Sequence, residues 1–280
     1  MKKLFLLFIV ISSVSLAQNF ELTGSIGKFN QASSFYITAA GFIYVTDTDL
    51  DEVFKIDTLG NLIKSYGGYG WSDNSFDDPK DIYADPLTIY VTDMNNHKIK
   101  RFDKYLNFIS SLYKRESENQ EEQFGYPLSC ASSNQGDLYI LDSENKRVVK
   151  LDIFGNFIQN FGGFDAGKYQ LRNPKSLAVS SNGNIFIIDE DKIVVFDQYG
   201  NGLGKISSEI NLKSIRILFD QLTTNSDEEI LFANLKNPEL KFVKLELSGI
   251  DDLPEIVSSI IFSDKLYVLT PETILIFSKL

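Results

Sequence analysis

The 280 residues are 43% hydrophobic and 13% aromatic, which is apolar mass for one large folded core and too much for disorder. With 27 basic against 38 acidic residues the formal charge is −11, a surface that repels phosphate backbones and anionic lipid, so no nucleic-acid partner is expected. The single cysteine, Cys130, leaves no intramolecular disulfide, and its neighbours Leu128 and Ala131 predict a small buried side chain.

Lys2 and Lys3 precede an apolar run from Leu4 to Ile11, followed by Ser12 to Leu16, with the small residues Ser15 and Ala17 spaced for signal peptidase. Residues 1–17 therefore read as a cleaved secretory leader, and residues 18–280 as one domain exported to the periplasm or beyond. The run is shorter than the roughly 18 apolar residues a membrane span requires, so no span is expected, and no cysteine near Ala17 offers a lipid acceptor. Removing the leader leaves 25 basic against 38 acidic residues, a net charge near −13.

Beyond the leader the chain repeats itself. "GFIYVTDTDLDEVFKIDTLGNLIKSYGG" from Gly41 returns as "LTIYVTDMNNHKIKRFDKYLNFISSLYK" from Leu87, as "GDLYILDSENKRVVKLDIFGNFIQNFGG" from Gly136 and, shortened, as "GNIFIIDEDKIVVFDQYGNGLGKI" from Gly183. Asp47, Asp93, Asp142 and Asp189 step by 46, 49 and 47 residues, a period of about 47. Each unit opens with an apolar run near Pro79, Pro127 or Pro174 and continues through three more short segments. In "VFKID", Val53, Lys55 and Asp57 alternate with Phe54 and Ile56, the two-residue period of a strand. Gly, Asn and Asp in "TLGN" and "IFGN" supply hairpin turns.

Each unit is thus a four-stranded antiparallel meander whose two apolar faces both need cover. Packing such sheets around an axis covers them, giving an all-β, six-bladed β-propeller. Two degenerate copies, from Glu228 and from Asp264, bring the count to six, and the last stops after three strands. "NFELTGSIG", Asn19 to Gly27, resembles "NFIQNFGG" and is expected to complete that last blade from the N-terminal side.

Asp93, Asn96, His97, Lys98 and Ile99, followed by Phe102 and Asp103, resemble the signature of NHL repeats, and Asn145, Lys146, Arg147 and Val148 form a second copy. The resemblance spans Phe20 to about Ile206. It implies a six-bladed propeller of the NHL-like type, a group that includes binding scaffolds as well as enzymes. In similar lactonase-like enzymes a calcium ion sits at one mouth of the channel, and in a propeller lyase several histidines hold zinc. Here His97 is the only histidine, too few for zinc, and a turn contact is its expected role.

Aligning the units places Ser34, Asp81, Ser129, Ser176 and Ser214 in one inner-strand column facing the channel, and Tyr36, Tyr83, Ala131, Ala178 and Arg216 in the next. One carboxylate among hydroxyls is a poor calcium site, so the column is expected to let inner strands approach closely, and no cofactor is expected. The Asp47 column and the column of Asp57, Asp103, Asp152 and Asp197 are expected to bond turn backbone. Binding chemistry falls to the inter-blade loops, where Tyr69, Trp71, Phe76, Tyr169 and Arg172 are residue types that anchor partners. The expected function is a monomeric, non-catalytic binding propeller for a protein or glycan. The alternative is a calcium-dependent lactonase- or lyase-like enzyme using Asp81.

Overall fold

A computed structural model describes residues 18–280, and the leader assigned to residues 1–17 lies outside them. After β1 (Gln18–Ile26), four antiparallel four-stranded sheets follow in order. They are β2 (Ala32–Ile37), β3 (Phe42–Asp47), β4 (Glu52–Asp57) and β5 (Leu62–Gly67); β6 (Pro79–Ala84), β7 (Thr88–Asp93), β8 (Lys98–Asp103) and β9 (Phe108–Tyr113); β10 (Pro127–Ser132), β11 (Leu138–Asp142), β12 (Arg147–Leu151) and β13 (Phe157–Phe161); and β14 (Pro174–Val179), β15 (Ile185–Asp189), β16 (Lys192–Phe196) and β17 (Gly202–Ser207). The protein is an all-β propeller built from such blades.

The remaining strands do not separate in the same way. β18 (Ser214–Leu218), β19 (Gln221–Asn225), β20 (Ile230–Asn234) and β21 (Val243–Ser248) share an eight-stranded sheet with β22 (Ser258–Phe262), β23 (Lys265–Leu269) and β24 (Ile274–Lys279). β1 lies at its middle. It pairs antiparallel with β24, as expected from "NFELTGSIG", through Phe20↔Lys279, Leu22↔Phe277 and Ile26↔Ile274. It also pairs parallel with β21, from Gln18↔Leu245 to Glu21↔Ser248, which the repeat did not foretell. β20 and β21 share only two register pairs, Leu231↔Lys244 and Phe232↔Val243, and the other edge of β21, the outermost of its four strands, is the one β1 takes.

The innermost strands touch in succession: β2 lies on β6, β6 on β10, β10 on β14, β14 on β18, β18 on β22, and β22 returns to β2. Because each sheet is a meander, all inner strands begin on one face of the disc. That entry face also carries the hairpins between second and third strands and the loops joining an outer strand to the next blade. Apolar side chains of neighbouring sheets fill the space between them; Phe35, Ile43, Val45, Ile82 and Val91 belong to one such cluster.

In the first four blades the ladder slips by one residue at the start of the inner strand, between Ala32 and Ser34, Pro79 and Asp81, Pro127 and Ser129, and Pro174 and Ser176. Proline suits the first position because it has no N–H to give the ladder, and the bulge re-aims the residue that follows it. The glycine pair ending "NLIKSYGG" has its own cause: Gly67 has φ 131°, and a Cβ there would lie 2.5 Å from the Asp51 carbonyl oxygen.

Candidate functional site

The predicted inner-strand column is a hydrogen-bonded ring. Ser34 Oγ accepts from Ile82 N at 3.1 Å, Ser129 Oγ from Leu177 N at 3.2 Å and Ser176 Oγ from Ile215 N at 3.3 Å, each reaching the next blade. Ser214 Oγ meets Ser258 Oγ at 2.8 Å. Asp81 takes its place in this pattern by accepting from Cys130 N at 3.2 Å. These small side chains hydrogen-bond each inner strand to the next.

Asp81 also meets a charge. Its Oδ1 accepts from Ser34 Oγ at 2.7 Å and from Arg216 Nη2 at 2.5 Å, while Oδ2 accepts from Ser129 Oγ at 2.6 Å in addition to Cys130 N. Arg216 reaches across from β18, with Nε on Ser258 Oγ at 3.3 Å and Nη2 also on Ser34 Oγ at 2.6 Å. Sequence alignment placed Arg216 in the adjacent column without pairing it with Asp81, and missed Ser258 in the degenerate sixth unit. The available signal was a lone cation two residues beyond the Ser214 position, on the same side of a period-two strand.

This arrangement does not fit a divalent cation. A carboxylate offers about four lone-pair directions, and four donors occupy those of Asp81. Among the described residues no three His, Cys, Asp or Glu side chains group as metal ligands. Cys130 is fully buried, and burial together with the charge of Asp81 pushes its thiol well above the ordinary value, so it remains an unreactive thiol. Two residues further along the inner strands, Tyr36 and Tyr83 pack with their ring centroids 4.8 Å apart. Burial raises both phenols, Tyr83 to about 12.

The loop candidates divide. Tyr69 and Trp71 are 71% and 72% exposed on the entry face, and Arg172 is exposed two blades away. Phe76 is a correction: it is fully buried, 6.3 Å from the Tyr66 ring and 6.1 Å from Phe102, and so packs the seam between two blades. Tyr169 is half-buried against Phe196, and any Cβ at Gly202 would strike its ring. The Trp71 loop is firmly held, since Lys98 Nζ donates to Trp71 O at 3.0 Å, Lys100 Nζ to Ser72 O at 2.9 Å and Asn96 Nδ2 to Gly70 O at 2.9 Å.

Both aspartate columns bond backbone. Asp57 accepts from Leu59 N and Asn61 N at 2.9 Å and from Asn61 Nδ2 at 2.8 Å, and Asp103, Asp152 and Asp197 repeat the turn with Asn107, Asn156 and Asn201. The Asp47 column reaches further than its own turn. Asp47, Asp93, Asp142 and Asp189 accept from Asn30, Asp77, Gly125 and Arg172 amides and so fasten the incoming loop to the blade. His97 sits at φ 55°, and its Nδ1 accepts from Tyr126 N at 3.0 Å. Asp51 and Lys146, each four residues past the column aspartate like His97, take the same left-handed conformation in their blades, so the histidine occupies a structural position of the repeat.

No family model matches the chain. Protein brain tumor of Drosophila melanogaster is 26% identical over 153 residues, covering 53% of this chain and 14% of that protein. The B-box type zinc finger protein ncl-1 of Caenorhabditis elegans is 26% identical over 146 residues, covering 51% of this chain and 16% of its own length. The matched stretches thus span under a fifth of each relative. Among solved structures, a catalytically inactive histidine-to-alanine variant of Staphylococcus aureus virginiamycin B lyase with quinupristin superposes with a TM-score of 0.60. It is 13% identical, over 88% of this chain and 80% of the lyase, a likeness that shows the propeller fold alone.

Proposed function

We propose that the chain is an exported, monomeric, six-bladed propeller of the NHL-like type that binds a protein or glycan partner through its entry-face loops and catalyses no reaction. Six blades follow if the eight-stranded sheet is counted as two, with β1 completing the one formed by β22, β23 and β24. The unbroken succession of inner-strand contacts supports that count. Export rests on the leader-like residues 1–17.

The observation that carries the binding role is Trp71. A tryptophan 72% exposed, on a loop whose carbonyls are held by Asn96, Lys98 and Lys100, is a preorganised apolar anchor that a partner covers at little ordering cost. Tyr69 extends the patch, and Arg172 adds a charged contact on the same face.

The lyase reading has the fold likeness behind it. It lacks a counterpart for the histidine whose loss inactivates that lyase, because His97 is committed to a hairpin turn and to Tyr126. The test is capture of partners from the native envelope by wild type, Trp71→Ala and Arg172→Ala, with circular dichroism as the folding control. Weaker capture by folded variants is expected; unchanged capture by both overturns the loop assignment.

A further inference from the structure

The entry-face mouth of the channel is a cavity of about 260 Å³ whose wall carries Lys80, Lys175, Lys213 and Arg216 with Asp81 and Glu255. Lys80 and Lys175 follow Pro79 and Pro174 at the bulged position of their inner strands, and Lys213 holds the corresponding place before Ser214. One column of the repeat therefore carries three ammonium groups in six blades, in a chain with only 27 basic residues among 280. The lining itself sets four cations against two carboxylates, with Asp227 paired to Lys213 and the charge of Asp189 felt by Lys175 from just outside it. A net-negative molecule therefore has a mouth whose lining is net positive.

These cations are not all spent. Lys213 is paired with Asp227 and Glu255, and Lys175 donates to Asn211 Oδ1 at 2.7 Å and Leu212 O at 2.9 Å, which leaves it one N–H. Lys80 is exposed and has no partner among the described residues. At the floor, Arg216 is only 5% exposed, with Nε and Nη2 bonded and no partner for Nη1 among the described residues. Burial, and after it the charge of Lys213, pull Lys175 below the ordinary lysine value against the opposing charge of Asp189.

We propose that this mouth binds a small organic oxyanion, its carboxylate or phosphate group held between Arg216 Nη1 at the floor and Lys80 and Lys175 at the rim. Leu128, Ile256 and Val257 in the same wall give a short carbon skeleton an apolar surface. Guanidinium and ammonium donors serve either headgroup. The site is separate from the Trp71 surface, so either assignment stands if the other fails.

Isothermal titration of the full mature chain at low ionic strength tests it, with methyl phosphate and succinate as probes and glycerol as the uncharged control. Saturable binding of at least one anion is expected, weakened by added salt and reduced about tenfold or more by Lys80→Glu. That substitution is exposed and removes no internal hydrogen bond, so the fold is retained. Binding of methyl phosphate alone assigns phosphate esters, binding of succinate alone assigns carboxylates, and binding of both supports the shared chemistry. Absence of saturable binding by both anions, equal binding of glycerol, or undiminished affinity in Lys80→Glu overturns the proposal.

Discussion

Arg216 Nη2 stands 2.5 Å from Asp81 Oδ1, joining inner strands β18 and β6 across the channel. Every other position of that column is serine, so Asp81 brings a charge where the ring needs only an acceptor, and Arg216 neutralises it. Removing one partner leaves the other buried and uncompensated, at a cost of about 3–5 kcal/mol. Asp81→Ser alone and Arg216→Ala alone should both lower the urea midpoint strongly. The double variant, which approaches the all-serine ring, should recover much of the loss. A double-mutant cycle with no coupling would show that the pair contributes nothing.

His97 makes stability depend on pH in one window. Burial and the Arg115 charge hold its pKa below the ordinary 6.5, opposed in part by Glu144. The unfolded chain then takes up the proton more readily than the folded chain. The contribution is whole above the unfolded value and is lost as pH falls through it toward the lowered folded value. Because His97 is the only histidine, urea midpoints measured from about pH 7 to pH 5 should fall. His97→Asn, which tolerates a left-handed turn, should flatten that slope. A midpoint that rises on acidification would contradict the assignment.

The four-stranded antiparallel blade and the pairing of the N-terminal strand with the last one were legible because a 47-residue period exposes equivalent positions, and a column of identical residues announces a shared role. The same averaging hid what departs from the repeat. Asp81 replaces a serine in one column and Arg216 is the lone cation in a mixed one, and only three dimensions show that the two departures compensate. Phe76 looked like part of an aromatic surface because its loop is polar, yet it enters the seam beside Tyr66 and Phe102. The parallel pairing of β1 with β21 joins the first strand to one more than 220 residues later, which no local pattern encodes. The basic mouth was obscured because lysine after a strand-opening proline reads as an ordinary exposed residue.

Leu106 sets two effects against each other. The turns ending Asp57, Asp152 and Asp197 place Gly60, Gly155 and Gly200 at φ 80–87°, and the second blade places Leu106 there at φ 58°. Glycine would relieve about 1 kcal/mol of left-handed strain. The Leu106 side chain is fully buried in the first hydrophobic cluster, and its deletion costs about 2–5 kcal/mol. Burial wins, so Leu106→Gly should destabilise while leaving the turn intact. An unchanged or raised midpoint would mean that the side chain packs too loosely to repay the strain.

Phe20 is the point at which the chain's N-terminal strand holds the eight-stranded sheet together. Its side chain, 2% exposed, packs among Ile230 and Leu245 from one half and Val268 and Phe277 from the other. The strand's backbone pairs with both β21 and β24. Truncating a buried phenylalanine costs about 3–5 kcal/mol. For a domain of this size that corresponds to a fall in Tm of roughly 6–20 °C. Phe20→Ala should show that drop together with faster amide exchange in β24, since the seam would open from the edge that β1 covers. Exposed Glu21 on the same strand provides the control, and Glu21→Ala should leave both measurements near wild type. If Phe20→Ala shifts stability by less than about 1 kcal/mol, or if β24 stays as protected as before, β1 merely lies alongside the sheet and the ring is fastened elsewhere.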